Sequence, residues 1–350
     1  MAESKRLHEL AERLRRFPAA PGTKIMEVCG THTVAIRRFG LQRLLPGTVK
    51  LVSGPGCPVC VTPDSYIDEA VALARQGVVI ASFGDMLRVP GSRSSLEKER
   101  AAGADIRAVY SPLDALRIAA DTGKETVFLA VGFETTAPVI AAAAMKTLEK
   151  KTGNFSLLTA LRLVPPALRA LIASDTRLSG FLLPGHVSAI IGKQAYDFLP
   201  GQRLPGVISG FTAEDIISSL LLLLEMHNKG IYKVMNNYPR VVRDQGSEKS
   251  RAVMADMFEP VDAEWRGLGP IAGSGLALKP AYEALDARRR FTIRVESPSV
   301  RPGCRCGDVL RGLIDPPACP LFNTACRPDR PLGPCMVSSE GSCSAWVTYG

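Results

Sequence analysis

Residues 24–33 read K-I-M-E-V-C-G-T-H-T, and their layout decides the fold. A short, largely apolar run ends at Val28, as a buried strand does. A cysteine and a glycine follow at once, then a threonine suited to begin a helix. The same order recurs along the chain. V-K-L-V-S leads into G-P-G-C-P-V-C (54–60), and V-V-I-A-S-F into G-D-M (84–86). V-F-L-A-V leads into G-F-E-T-T-A-P (132–138), and F-L-L into P-G-H-V-S (184–188). Strands are predicted over 24–28, 49–52, 78–82, 106–109, 126–131, 156–160, 180–183 and 207–209. Helical patterns cover 7–16, 65–76, 112–121, 138–149, 165–173, 188–196 and 214–228. Such alternation predicts an α/β fold, with doubly wound parallel sheets covered by helices on both faces. There are strands enough for two domains, 1–110 and 111–230. Ligands of open α/β sheets bind at the carboxyl ends of strands, so the five loops are expected to face one crevice. Beyond 230 the pattern weakens. Residues 267–275 read as a glycine-rich loop, and 298–350 is dense in proline, glycine and cysteine, so 231–350 is expected to be a third domain organised by metal.

The bulk numbers exclude several classes. With 350 residues, 46% hydrophobic and 22% charged, the chain can bury a large core without disulfide staples. Its longest apolar run, 220–224, is bounded by Ser218, Ser219 and Glu225 and falls short of the ~18 residues of a membrane span. The N-terminus, M-A-E-S-K-R-L-H-E-L, has no signal-peptide core, so a cytoplasmic location is expected. There, clustered cysteines more often bind metal or do redox chemistry than form structural disulfides. The net charge of +9 is spread thinly, with short clusters such as 288–290 and no interleaved aromatics. Neither nucleic acid nor membrane is expected as a partner.

Of the nine cysteines, six lie between Cys304 and Cys343. Cys304, Cys319, Cys326 and Cys343 are spaced C-x14-C-x6-C-x16-C, with Cys306 and Cys335 interleaved. Four thiolates can close a zinc site or hold a [4Fe–4S] cluster. Structural zinc favours tight pairs, so the wide spacing points to the cluster, with Cys306 and Cys335 as a redox pair beside it. Glu340, three residues before Cys343, is a candidate functional carboxylate. Upstream, Cys57 and Cys60 form a C-x-x-C, able to make a reversible disulfide or bind metal. Thr62 and Pro63 are predicted to open the next helix, which would place Cys60 near its N-terminus. Cys29 alone would be a small hydrophobe, and His32 a helix-face histidine. Set beside C-x-x-C they give three thiols and an imidazole, suited to iron or zinc. Glu134 and His186 are candidates for proton transfer or for supporting a metal ligand.

Together these motifs resemble one family closely, the HypD hydrogenase-maturation family. The resemblance rests on C-G-T-H-T (29–33), G-P-G-C-P-V-C, G-F-E-T-T-A-P, P-G-H-V-S, and C-R-C-G-D-V-L-R-G (304–312) through C-M-V-S-S-E-G-S-C (335–343). It implies two similar α/β domains around a central cleft plus a cluster domain. It implies a scaffold on which the Fe(CN)2CO group of [NiFe] hydrogenases is built, with the iron held by Cys29 and Cys60. The small chaperone HypC would add a further cysteine, and HypE would deliver cyanide from a thiocyanate. Cys304, Cys319, Cys326 and Cys343 would hold a [4Fe–4S] cluster, as in ferredoxin–thioredoxin reductase. The expected electron route runs from the cluster through Cys306/Cys335 to Cys57/Cys60. The alternatives are an iron–sulfur thiol–disulfide oxidoreductase and a zinc-stabilised binding module.

Overall fold

A computed structural model describes residues 2–150, 152–174, 176–295 and 303–350. Its strands are β1 (Thr23–Glu27), β2 (Val49–Ser53), β3 (Val79–Ser82), β4 (Ile106–Ala108), β5 (Thr126–Gly132) and β6 (Phe155–Arg162). They continue with β7 (Gly180–Pro184), β8 (Gly206–Ser209), β9 (Val234–Asn236), β10 (Phe258–Trp265) and β11 (Gly269–Leu278). One sheet has the order β2-β1-β7-β8-β9 and is wholly parallel. The other, β10-β11-β6-β5-β3-β4, is parallel from β6 to β4 and ends in an antiparallel hairpin. The fold is α/β with parallel-dominated sheets, as the alternation predicts.

All eight predicted strands are present, but they sort differently from the partition at 110 and 230. β3 and β4 pair with strands of the second sheet, whereas β7 and β8 return to the first. The reason is physical. A parallel pair needs a crossover, and here the chain crosses between the sheets after β2, after β6 and again after β9. Apolar runs identify strands without identifying their neighbours. Residues 258–278 also belong to the second sheet and not to a separate region. Val261, Asp262 and Glu264 on β10 are exposed and β11 is glycine-rich, so neither carries a strong strand pattern.

Burial follows the sheets. Every residue of β5 is buried, as a strand covered on both faces requires. The helix Ala213–Asn228 begins with a capping box, Thr212 and Asp215, and lays Ile216, Ile217, Leu220 and Leu224 against Ile25, Leu182 and Val207. Each buried aliphatic side chain contributes about 1.5–3 kcal/mol.

Residues 303–350 form short helices and turns that pack on the first sheet's end. Arg37 stacks over the Trp346 ring at 3.3 Å, and Gly312 faces Val52 and Met26. Arg88 donates to the carbonyls of Pro328 and Val337, both at 3.3 Å. Residues 298–302 of the proline- and cysteine-rich stretch lie outside the described residues. No described helix is long and apolar enough to cross a membrane.

Candidate functional site

Because β1 and β2 are parallel neighbours, the loops that leave them run side by side. Gly30 N–H donates to Gly56 O at 3.0 Å, and Gly54 N–H to Glu27 O at 2.8 Å. The contact depends on glycine. A Cβ on Gly56 would lie 2.5 Å from both Cα and N of Cys29. Gly56→Ala is therefore expected to destabilise the protein by about 1–3 kcal/mol in chemical denaturation. Gly47→Ala, whose Cβ would meet nothing within 4 Å, should change stability by less than about 0.5 kcal/mol.

C-P-V-C forms its own short helix, Pro58–Val61. Cys57 caps it, its Sγ accepting from Cys60 N–H at 3.2 Å. Thr62 ends this helix, and Pro63 is the cap of the next, Asp64–Arg75. The expectation that Thr62 opens that helix is corrected: a turn of helix after Cys57 occupies the place assigned to loop. Cys60 Sγ lies 2.6 Å from Cys57 Sγ. Burial pushes the Cys60 thiol well up.

Cys29 is the extended residue before the helix Gly30–Arg38. Burial first, and the Glu340 carboxylate second, push its thiol up to about 12. Glu340 accepts from Thr31 Oγ1 at 2.7 Å, which ties the C-terminal segment to this loop. Beneath Cys29 sits Glu27, which sequence reasoning did not single out. Its carboxyl accepts from Thr33 Oγ1 at 2.5 Å and from Cys29 N–H at 3.3 Å, and burial raises it to about 8. The available signal was a glutamate inside an apolar strand run, rare unless it is held by partners.

His32 and His186 converge through an aromatic ring. Phe211, after β8, stacks on His186 at 3.9 Å and on His32 at 4.6 Å between centroids. His32 Nε2 lies 2.9 Å from Gly210 O, and its Nδ1 is buried without a partner among the described residues. Burial lowers His32 to about 4, so the ring is neutral at pH 7 and Nε2 is the donor. Burial also lowers His186, against the pull of Glu340. No sequence signal marks Phe211.

Glu134 is placed differently from these residues. Its Oε1 accepts from Val164 N–H at 2.8 Å, while Oε2 is buried without a partner among the described residues. Burial raises it to about 7. Below pH 4.5 the carboxyl is neutral in both folded and unfolded chains. As pH rises towards 7 the unfolded chain ionises first, so stability is lost over that window, by about 3 kcal/mol. Glu134→Gln should lose less stability than wild type between pH 4.5 and 7.5, measured by denaturant titration at each pH.

The C-terminal cysteines meet the C-x-x-C through Cys335, on the helix Pro334–Val337. Cys60 Sγ lies 3.9 Å from Pro334 O, and the thiols of Cys60 and Cys335, Cys335 and Cys306, and Cys306 and Cys304 are near enough to shift one another's protonation. The C-x-x-C thus adjoins the C-terminal cysteines at Cys335, which lines one cavity with Cys304 and Cys306. Contact with Cys304 pulls the Cys306 thiol down, yet Cys335 and burial push it up to about 12. Cys304, Cys306, Cys319, Cys326, Cys335 and Cys343 line one small cavity, closed by Leu321 and Phe322. Ser338 Oγ donates to Asp85 Oδ2 at 3.0 Å, which brings the G-D-M loop to the same segment. Among the described residues, no three His, Cys, Asp or Glu side chains are grouped as a lone metal ion requires.

The family profile HypD, described as "Hydrogenase formation hypA family", matches residues 5–350. A "Hydrogenase maturation factor HypD" of Rhizobium leguminosarum bv. viciae is 46% identical over 337 residues, 93% of this chain and 88% of that protein. Its namesake in Azotobacter vinelandii is 44% identical over 338 residues, 93% and 89% of the two chains. The Escherichia coli (strain K12) protein of that name is 42% identical over 348 residues, 98% and 93%.

Proposed function

This chain belongs to the HypD hydrogenase-formation family, and from that premise we propose that it is a maturation scaffold on which the Fe(CN)2CO group of a [NiFe] hydrogenase is assembled. The observation that supports this reading is the packing of the Cys29 loop directly against the loop that carries Cys57 and Cys60, whose far side adjoins Cys335. Iron is the cargo, and Cys29 and Cys60 are its ligands from this protein. Both thiols are neutral by burial, so a soft cation must displace their protons and binds more tightly as pH rises. Glu27 and Thr33 fix the Cys29 loop from below, while Glu340 and His186 border it.

Cyanide reaches the iron when a thiocyanate sulfur–carbon bond is cleaved, which takes two electrons and leaves a thiol. The Cys57/Cys60 dithiol can supply both electrons by closing to a disulfide, which releases Cys60 from the iron until the pair is reduced again. Reopening it requires exchange with a neighbouring sulfur, and Cys335 is in contact with Cys60. Residues of the C-terminal cavity fit a [4Fe–4S] cluster. Leu332 N–H donates to Cys326 Sγ at 3.3 Å, and a Cβ on Gly333 would lie 2.9 Å from Cys304 Sγ. Cys304, Cys319, Cys326 and Cys343 would hold it. When bound, such a cluster supplies electrons singly to adjacent sulfurs. HypC and HypE are proposed as the chaperone and cyanide-donor partners. A stand-alone oxidoreductase would leave Cys29 and its carboxylate surroundings without a task.

Expression in an Escherichia coli strain lacking its own HypD tests the reading. Restored hydrogenase activity is expected. Failure, with HypC and HypE of the source organism also supplied, would contradict it.

A further inference from the structure

A second cavity, of about 270 Å3, lies between the first turns of the helix Asp64–Arg75 and the strands β6, β10 and β11. Arg162, on β6, lines it and is only 7% exposed. Its guanidinium donates to two carbonyls, Leu161 O at 3.1 Å and Glu264 O at 2.8 Å. Nε is buried and has no partner among the described residues. A buried cation bonded only to carbonyls is costly unless an anion joins it.

The carboxylates nearby fill that role only in part, Glu264 attracting Arg162 from an exposed position. Glu69 is engaged by Arg288, at 3.0 Å from Nε and 2.7 Å from Nη2. Asp262 accepts from Gly273 N–H at 2.9 Å, and the Glu264 side chain is exposed. Arg288, also lining the cavity, donates through Nη1 to Thr159 O at 3.1 Å, so a second guanidinium fronts the same space. The third element is the positive end of the 12-residue helix Asp64–Arg75, whose cap, Pro63, offers no side-chain acceptor. The Asp64 carboxylate is paired with Arg266. A helix N-terminus and a buried guanidinium that no carboxylate contacts directly make an anion cradle.

We propose that this cavity binds a compact oxyanion, a phosphate or a small carboxylate, on Arg162 and the first turn of the helix Asp64–Arg75. Pro63, three residues after Cys60, lines the cavity, and Val61 O accepts from Arg266 N–H at 2.8 Å. Occupancy therefore braces the segment that carries C-P-V-C.

Equilibrium dialysis of the full-length protein tests this, with labelled inorganic phosphate in one arm and labelled acetate in the other. Ionic strength is held constant with sodium chloride. Saturable binding at one site per chain in either arm, weakened about tenfold or more by Arg162→Met, is expected and identifies the anion class. Removing a buried charge that no carboxylate contacts directly should leave that variant folded. Were it to unfold, Ser65→Val at the exposed rim of the cavity is the second variant, expected to weaken binding without loss of structure. Absence of saturable binding in both arms overturns the proposal. So does equal binding by wild type and a folded variant.

Discussion

Cys29→Ala is expected to leave a folded protein that carries no Fe(CN)2CO group and supports no hydrogenase maturation. The fold should survive because the Cys29 side chain makes no capping hydrogen bond to the helix Gly30–Arg38, and the anchors of its loop are backbone groups. Glu27 still receives the residue 29 N–H and the Thr33 hydroxyl, since neither involves the thiol. What is lost is a buried sulfur. Removing it should cost about 1 kcal/mol of stability, within the range of small core truncations. The functional loss is of another order. Loss of a residue that merely supports a ligand costs 10–100-fold, and loss of a ligand should exceed about 100-fold. Hydrogenase activity in complemented cells and iron content after anaerobic purification measure it. Activity above a tenth of wild type would remove Cys29 from the iron site.

The second large effect is expected at Cys335. It is buried, is not one of the four expected cluster ligands, and is the contact between Cys60 and Cys306. Cys335→Ser keeps the volume and the short helix Pro334–Val337, but oxygen cannot form the mixed disulfide that exchange requires. Reduction of a Cys57–Cys60 disulfide by electrons entering at the C-terminal array should slow by about 100-fold or more. Brown visible absorbance should persist. The readout is thiol labelling of Cys57 and Cys60 after reductant is supplied to the array. The double variant Cys306→Ser/Cys335→Ser should behave alike. An unchanged rate of reduction in either would break the proposed route.

Much of this arrangement was legible in the sequence, for identifiable reasons. A run such as V-F-L-A-V can be buried on both faces only as a central strand, and β5 is that strand. The polar loops that follow β1, β2 and β7 do gather, because parallel strands place their carboxyl ends together. Pairing was not legible. β3 and β7 look alike locally, yet they sit in different sheets. The hairpin β10–β11 leaves little trace in the sequence, because an edge hairpin needs little apolar alternation. At the site, cysteine and histidine announce themselves by chemistry, whereas Phe211 acts by shape and stacking that spacing does not encode. The loop position of Glu134 suggests a place beside the thiols, but its hydrogen-bond partner is Val164 at the start of a neighbouring helix.

The central claim is that Cys29 and Cys60 hold an iron atom bearing cyanide and carbonyl. Infrared spectroscopy of the anaerobically purified protein with its small chaperone reads those ligands directly, since their triple-bond stretches fall where protein does not absorb. Wild type should show cyanide bands that shift when labelled cyanide precursor is supplied, together with a carbonyl band. Cys29→Ala and Cys60→Ala should show none. Bands of wild-type intensity in either variant would contradict the account, as would a brown wild-type complex without any such band.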